Sequence, residues 1–100
     1  MKSIMHDKKE GTCYLCKRLC GDYYRKTTQE HHAIFGTAGR RLSERYGLKV
    51  YLCMEHHTAG KSAVHNNETM ARIVQRDAQE AFEKTHTRKE WMEIFGRNYL

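Results

Sequence analysis

The sequence predicts a small α+β domain built around clustered cysteines and histidines. The first observation is an alternating segment, 48–53, in which Leu48, Val50 and Leu52 fall on one face of a strand. The second is a helical period of apolar residues from position 67 onward. The third is that most of the four cysteines and seven histidines lie between positions 13 and 65. A chain of 100 residues suits one domain, 1–100, which we divide into segments 1–12, 13–66 and 67–100.

Turns and extended segments are predicted for the first third of the chain. Segment 1–12 is polar and is expected to be loosely ordered. The run from Cys13 to Cys16 is typical of a knuckle, a tight turn that points two thiolates at one ion. Tyrosines, threonines and an isoleucine follow, and they favour extended structure around His31 and His32.

Glycines bound the next segment, 36–47. Arg40 to Tyr46 is predicted to form a short helix that stops at Gly47. The strand 48–53 comes directly after it, and Lys49 and Tyr51 are expected on its outer face. A second knuckle is predicted at Cys53-x-x-His56, and residues 58–64 are expected to form a loop or a broken helical turn.

Two helices are predicted for the C-terminal segment. Apolar residues at helical spacing indicate a helix over 67–84, with Asn66 or Asn67 as its cap. Thr87, with Glu90 three residues later, is typical of a capping box that begins a second helix. Gly96 is the expected stop of that helix. The apolar stripes of both helices are interpreted as core.

The charge distribution favours a polyanionic partner. The net charge is +6. Residues 1–50 hold eleven Lys/Arg and five Asp/Glu, which gives +6, whereas residues 51–100 hold seven of each, which gives 0. A one-sided basic surface suits nucleic acid, although a solvated lysine-rich terminus explains the same numbers.

We expect the chain to act in the cytoplasm and not at a membrane. Its first residues lack the apolar segment of a secretory leader, and no apolar run approaches the roughly 20 residues that span a bilayer. Disulfides are rare in a reducing compartment, so closely spaced cysteines are better interpreted there as metal ligands.

Two ligand pairs with equal internal spacing predict a structural zinc site. They are Cys13-x-x-Cys16 and Cys53-x-x-His56, and together they give a Cys₃His set, which Zn²⁺ accepts in tetrahedral geometry. The alternative is that the cysteines are free buried thiols. Cys20 lies four residues after Cys16 and is a second alternative, because it could replace one ligand.

Four further histidines indicate a second metal site, namely His31, His32, His57 and His65. Adjacent histidines on an extended segment project to opposite faces, so His31 and His32 are not expected to bind the same ion. Phosphodiester hydrolysis uses such a division, because a metal offsets charge on the phosphate while a separate base activates water.

The order Cys-x-x-Cys, His-His, Leu-Cys-x-x-His-His and a further His resembles HNH endonucleases of the ββα-metal class, particularly small phage-borne members. The resemblance covers residues 13 to about 66. It implies a ββα-metal core with a structural zinc knuckle pair. The two predicted C-terminal helices would follow this core. It also implies that His31, His57 and His65 hold a divalent ion such as Mg²⁺, Mn²⁺, Ni²⁺ or Zn²⁺, and that His32 is the general base.

The sequence departs from the family pattern in two places. Leu48 stands at about the position of the family's middle asparagine, so another group must orient the base-bearing loop. Gln29, Ser43 or backbone carbonyls are the candidates. Eight residues separate His57 from His65, instead of the four that place two ligands on one helical face. Asn66 or Asn67 could assist or replace His65.

The resemblance implies a DNA substrate, and basic residues near the motifs are candidates to contact its phosphates. They are Arg40, Arg41, Lys61, Lys17 and Arg18. No recognition helix is evident, so weak sequence preference is expected. A phage or host protein partner is compatible with this class. The alternative function is a non-catalytic zinc module that binds nucleic acid or a protein partner.

Overall fold

The computed structural model describes residues 1–100 and contains four α-helices and one two-stranded antiparallel sheet. In chain order the elements are α1 (Tyr14–Cys20), β1 (Gln29–His32), α2 (Gly36–Tyr46), β2 (Lys49–Leu52), α3 (Glu68–Phe82) and α4 (Arg88–Phe95). A 3₁₀ turn, Lys8–Glu10, precedes α1, and a π-helical turn, Glu55–Ala59, follows β2. The predicted α+β class is confirmed. None of the helices has the length and apolar character that crossing a membrane requires.

The register of the sheet determines which way the adjacent histidines face. His31 pairs with Val50 and His32 pairs with Lys49. Successive side chains of a strand point to opposite faces, so the two imidazoles diverge as predicted. His31 shares its face with Val50, which is fully buried, and is itself only 3% exposed.

Lys49 and Tyr51 lie on the opposite face of β2 from Val50, as predicted, and this face is also covered. Both residues are buried, because the N-terminal segment packs along this strand. The Ile4 N–H donates to the Gly47 carbonyl at 2.9 Å, and the Ser3 hydroxyl donates to the Lys49 carbonyl. The expectation that 1–12 is loosely ordered is therefore wrong.

His6 anchors this segment, although no motif in the sequence includes it. It is 4% exposed and lies between the rings of Tyr14 and Tyr51. Its Nδ1 accepts from the Tyr51 N–H at 3.1 Å, and its Nε2 bonds with the Thr12 hydroxyl at 3.1 Å. Burial, with a smaller contribution from Lys17, lowers the pKa of His6.

The first predicted knuckle is the first turn of a helix. Cys13 is the N-cap of α1 and Cys16 lies in its first turn, and Gly21 ends the helix at φ +63°. The two cysteines still face one way, because residues three apart lie on one side of a helix. Leucine, lysine and arginine in this run favour a helix, and their helix propensity explains why the segment does not form the tight turn that we predicted. The predicted extended structure is confined to β1.

The helix α2 begins four residues before the predicted Arg40 and ends at Gly47 as predicted, with φ +71°. Gly39 allows its first turn to lie close to the chain before it. A Cβ at this position would lie 2.9 Å from the Ile34 carbonyl oxygen.

The two C-terminal helices are confirmed. Asn67 caps α3 by accepting from the Met70 N–H at 3.2 Å, and Thr87 and Glu90 form the capping box of α4. Their apolar faces join one core with β2 and α1, in which the largest fully buried side chains include Trp91, Phe82, Leu15, Leu48 and Leu52.

Candidate metal centres

The Cys/His cluster joins α1 to the end of β2 and the turn after it. The donor atoms of Cys13, Cys16, Cys53 and His56 all lie within 4.8 Å of one another. The His56 Nδ1 is 3.4 Å from the Cys16 sulfur, 3.5 Å from the Cys53 sulfur and 3.7 Å from the Cys13 sulfur. The cysteines are free thiols, and the 3.9 Å between the sulfurs of Cys16 and Cys53 is far longer than a disulfide of about 2.05 Å.

These separations match the edges of a zinc tetrahedron. Zn–S bonds of about 2.3 Å and Zn–N bonds of about 2.0 Å place sulfurs about 3.8 Å apart and sulfur about 3.5 Å from nitrogen. Burial and the neighbouring thiols of Cys13 and Cys53 raise the pKa of Cys16 to about 12. Crowded buried thiols keep their protons unless a cation compensates the thiolates. The four residues could hold a metal ion such as zinc.

Cys20, the alternative fourth cysteine, lies outside this cluster. It is the exposed last residue of α1, whereas Cys13 and Cys16 are buried. The cluster therefore consists of the two pairs with equal spacing. Cys20 does not replace any of its residues.

A second cluster brings together three histidines from three different segments. His31 comes from β1, His57 from the π-helical turn and His65 from the loop before α3. The Nε2 atoms of His57 and His65 are 3.2 Å apart, and the His31 ring centroid lies 5.4 and 5.3 Å from the other two. The His31 Nε2 is buried and has no hydrogen-bond partner in the protein. Since buried polar atoms are nearly always paired, an unpaired nitrogen here indicates a ligand.

The eight-residue gap before His65 is closed by the loop's own hydrogen bonds. The Val64 N–H donates to the His56 carbonyl at 2.8 Å. The Asn66 amide donates to the Thr58 carbonyl at 2.8 Å, and the Asn67 amide donates to the Lys61 carbonyl at 3.2 Å. Both asparagines thus fold the loop back, Asn67 also caps α3, and His65 itself reaches the cluster.

Gln29 orients His57. The His57 Nδ1–H donates to the Gln29 Oε1 at 2.8 Å, so its Nε2 carries a lone pair and faces His65. Metal-binding histidines commonly donate their other ring nitrogen in this way. Burial, followed by repulsion from His57 and His65, lowers the pKa of His31 to about 3, and burial followed by His65 lowers that of His57. These two imidazoles are therefore neutral at pH 7, as metal binding requires.

Adjacent residues of the π-helical turn supply one histidine to each cluster. The N–H groups of His56 and His57 both bond to the Cys53 carbonyl, at 3.1 and 2.9 Å. The His56 ring then joins the three cysteines, and the His57 ring joins His31 and His65.

His32 is held by carboxylates. Its Nε2 lies 2.9 Å from the Glu44 Oε1 and 3.5 Å from the nearest oxygen of Glu30. Glu30, His32 and Glu44 are close enough to hold a metal, but two cations already compensate the two acids. Lys49 lies 3.0 Å from Glu44 and 3.3 Å from Glu30, and the N-terminal ammonium lies 2.8 Å from Glu44. Hydrogen bonds from the N-terminal ammonium, His32 and Lys49 lower the pKa of Glu44 to about 2. Neither Glu44 nor Lys49 was predicted as a site residue, because both reach His32 through the folding of α2 and the sheet and not through a sequence pattern.

Ser43 and Gln29, the two side chains considered as substitutes for the family's asparagine, contact different segments of the chain. Ser43 is fully buried; its hydroxyl accepts from the Ile34 N–H at 3.1 Å and donates to the Ile34 carbonyl, so it fixes the chain just after His32. Gln29, the other candidate, bonds to His57, and Glu44 orients His32 itself.

His31, His32, His57 and His65 all line one open cleft of about 510 Å³. It is lined by Glu30, His31, His32, Phe35, Gly36, Arg40, His57, Val64 and His65. Arg40 also lines an adjoining cleft with Arg41, and neither arginine has an acidic partner.

The other three basic candidates are less well placed. Lys61 is exposed but lines neither cleft. Lys17 lies 2.8 Å from Glu10, and Arg18 lies 2.9 Å from Asp77, so both charges are already paired within the chain.

Comparison with known proteins identifies no relative. No family model, no curated protein and no solved structure matches the chain. The resemblance to HNH endonucleases therefore stays a prediction that rests on the motif.

Proposed function

We propose that the chain is an HNH-type (ββα-metal) endonuclease that hydrolyses phosphodiester bonds in DNA. The observation that carries this proposal is the buried, unpartnered His31 Nε2 beside His57 and His65, in an open cleft that also contains a carboxylate-held imidazole, His32. Catalytic metal sites keep an open position, and a separate base must lie beside them.

His31, His57 and His65 would hold the catalytic ion, with Mg²⁺, Mn²⁺, Ni²⁺ and Zn²⁺ as candidates. A bound divalent ion supplies compensation for negative charge on the phosphate and the leaving oxygen. His32 is the general base. Because the Glu44 carboxylate accepts from Nε2–H, the neutral ring carries its lone pair on Nδ1, and this atom takes the proton from water. Glu44 then stabilises the imidazolium that forms.

The Cys₃His cluster has a structural role in this proposal. A zinc ion there ties the start of α1 to the turn that carries His57. Arg40 and Arg41 are the best-placed residues to contact phosphates, since both are unpaired and line the clefts. Contacts of this kind position DNA without reading its sequence, so weak sequence preference is expected.

Cleavage of supercoiled plasmid DNA tests the proposal directly. The wild type is incubated with Mg²⁺, Mn²⁺, Ni²⁺ or Zn²⁺ and compared with His32→Ala and with His86→Ala, which changes an exposed histidine outside both clusters. Loss of a general base slows cleavage about 10²- to 10⁴-fold, so His32→Ala should be nearly inactive and His86→Ala fully active. A wild type that nicks no DNA with any of the ions, or a His32→Ala protein as active as wild type, contradicts the proposal.

The second candidate is a non-catalytic zinc module that binds nucleic acid or a protein partner. It is favoured by the burial of Cys13 and Cys16 in the core, since a zinc ion held by a Cys₃His set alone suffices to stabilise a small fold. Metal content separates the candidates. Two ions per chain support the endonuclease, whereas one ion, with no DNA cleavage, supports the zinc module.

A further inference from the structure

The N-terminal end of α2 has unpaired hydrogen-bond donors. Its N-cap, Phe35, makes no side-chain capping bond, in contrast to the Asn67 cap of α3 and the Thr87 cap of α4. The backbone N–H groups of Gly36, Thr37 and Ala38 donate to no other group in the protein. Such donors, together with the positive end of the helix dipole, favour an anion.

This helix end opens on the cleft that contains the histidines. Gly36 and Arg40 line that cleft, and Thr37 and Arg40 line the adjoining one. The space at Gly36 is free, because a Cβ built there would meet no atom within 4 Å. Arg40 lies one turn into the helix and its guanidinium has no acidic partner.

An independent observation indicates that the same cleft takes a ligand. His31 lines it, is 3% exposed, and has an unpartnered Nε2. The acidic residues of the two clefts are Glu30 and Glu44. Lys49 lies 3.3 Å from Glu30 and 3.0 Å from Glu44, and the N-terminal ammonium lies 2.8 Å from Glu44, so the two acids do not cancel the cationic character of the helix end.

We infer that the first turn of α2 and Arg40 bind a backbone phosphate of DNA adjacent to the one that is cleaved. This inference rests on the proposed function. A phosphodiester offers two anionic oxygens, which can accept from the backbone N–H groups and from a guanidinium at the same time. The site thereby positions the strand so that the next phosphate lies at the three histidines.

Binding of a short fluorescein-labelled DNA duplex, followed by anisotropy, tests the inference. All variants are made in His32→Ala, so that the duplex is not consumed. Thr37→Asp places a carboxylate where the phosphate is expected, so the affinity of this variant for the duplex should fall about threefold or more. Thr69→Asp is the matched control, because it is the second residue of α3 and is also exposed. An acid in the first turn stabilises either helix, so neither variant should lower the melting temperature.

A second pair of variants tests Arg40. Arg40→Gln should weaken binding about tenfold in about 0.1 M salt and reduce the slope of log K against log salt by about 1. Arg45→Gln removes the same charge from the same helix at a residue that lines neither cleft. Its affinity for the duplex should be close to that of the wild type.

The outcomes separate this inference from the proposed function. Equal affinities for Thr37→Asp and Thr69→Asp, or for Arg40→Gln and Arg45→Gln, overturn the phosphate site even if the wild type cleaves DNA. Selective weakening by Thr37→Asp and Arg40→Gln supports the phosphate site even if plasmid cleavage is never observed.

Discussion

The two clusters use neighbouring residues of one turn but differ in their surroundings. Cys13 and Cys16 belong to the hydrophobic core, and Cys53 packs against it. His57 is half-buried, His65 is exposed, and both line an open cleft with His31. A closed set of four donors suits a structural ion, whereas three donors on a cleft leave a position for substrate. Accessibility, more than ligand type, therefore separates the two proposed roles.

The largest expected effect comes from breaking the closed cluster. Cys16→Ser should abolish zinc binding and cooperative unfolding, because structural zinc contributes roughly 10–16 kcal/mol in zinc-finger peptides, comparable with the whole stability of a domain. His57→Ala should lose only the ion of the cleft and keep its fold. Zinc content by mass spectrometry and thermal melts by circular dichroism measure both.

Cys20→Ser is the control for this comparison, since it removes an exposed thiol outside the cluster. It should keep the zinc content and melting temperature of the wild type. A Cys16→Ser protein that melts cooperatively at the wild-type temperature would show that the Cys₃His cluster is not structural.

A smaller effect is expected from the carboxylate behind His32. Glu44→Ala removes the acceptor 2.9 Å from Nε2, and DNA cleavage should slow about 10- to 100-fold, the usual effect of losing a group that orients a site residue. DNA affinity should change little, because Glu44 is proposed to act on the base and not on the substrate. The ¹⁵N resonances of His32 should show loss of the Nε2–H tautomer.

Glu30→Ala is the matched control for Glu44→Ala. Both carboxylates contact Lys49, but Glu30 lies 3.5 Å from His32. If the two variants slow cleavage equally and neither alters the His32 tautomer, Glu44 only helps to bury Lys49 and does not position the base.

The smallest effect concerns His6, which lies outside both clusters. Its folded pKa is lowered mainly by burial, so the unfolded chain binds the proton more readily. Stability is therefore complete above the unfolded pKa of about 6.5 and declines as pH falls below it. When the pH is lowered from about 7.5 to 5.5, the melting temperature of His6→Gln should fall less than that of the wild type. His86→Gln, at an exposed site, should retain the wild-type slope, and equal slopes for His6→Gln and wild type would refute this assignment.

Local patterns predicted much of this arrangement. The caps at Asn67 and Thr87 and the stop at Gly47 were found because each depends on residues within one turn. Equal spacing identified the Cys₃His set, and the divergence of His31 and His32 followed from strand geometry alone.

The remaining features depend on contacts between distant parts of the chain. His6 is buried because segment 1–12 bonds to β2, more than 40 residues away, and no period in that segment indicates this. Glu44 and Lys49 meet His32 only once α2 and the sheet have formed. The helix of Cys13 and Cys16 was missed because CxxC spacing suits both a turn and a helix.

The π-helical turn also restricts how this chain can change by insertion and deletion. Consecutive residues belong to separate clusters, so the length of the turn sets which imidazole meets which cluster. Met54 and Glu55 are exposed and can be exchanged for other side chains. Adding or removing one residue there would rotate both histidines away from their partners and disable two sites in a single event.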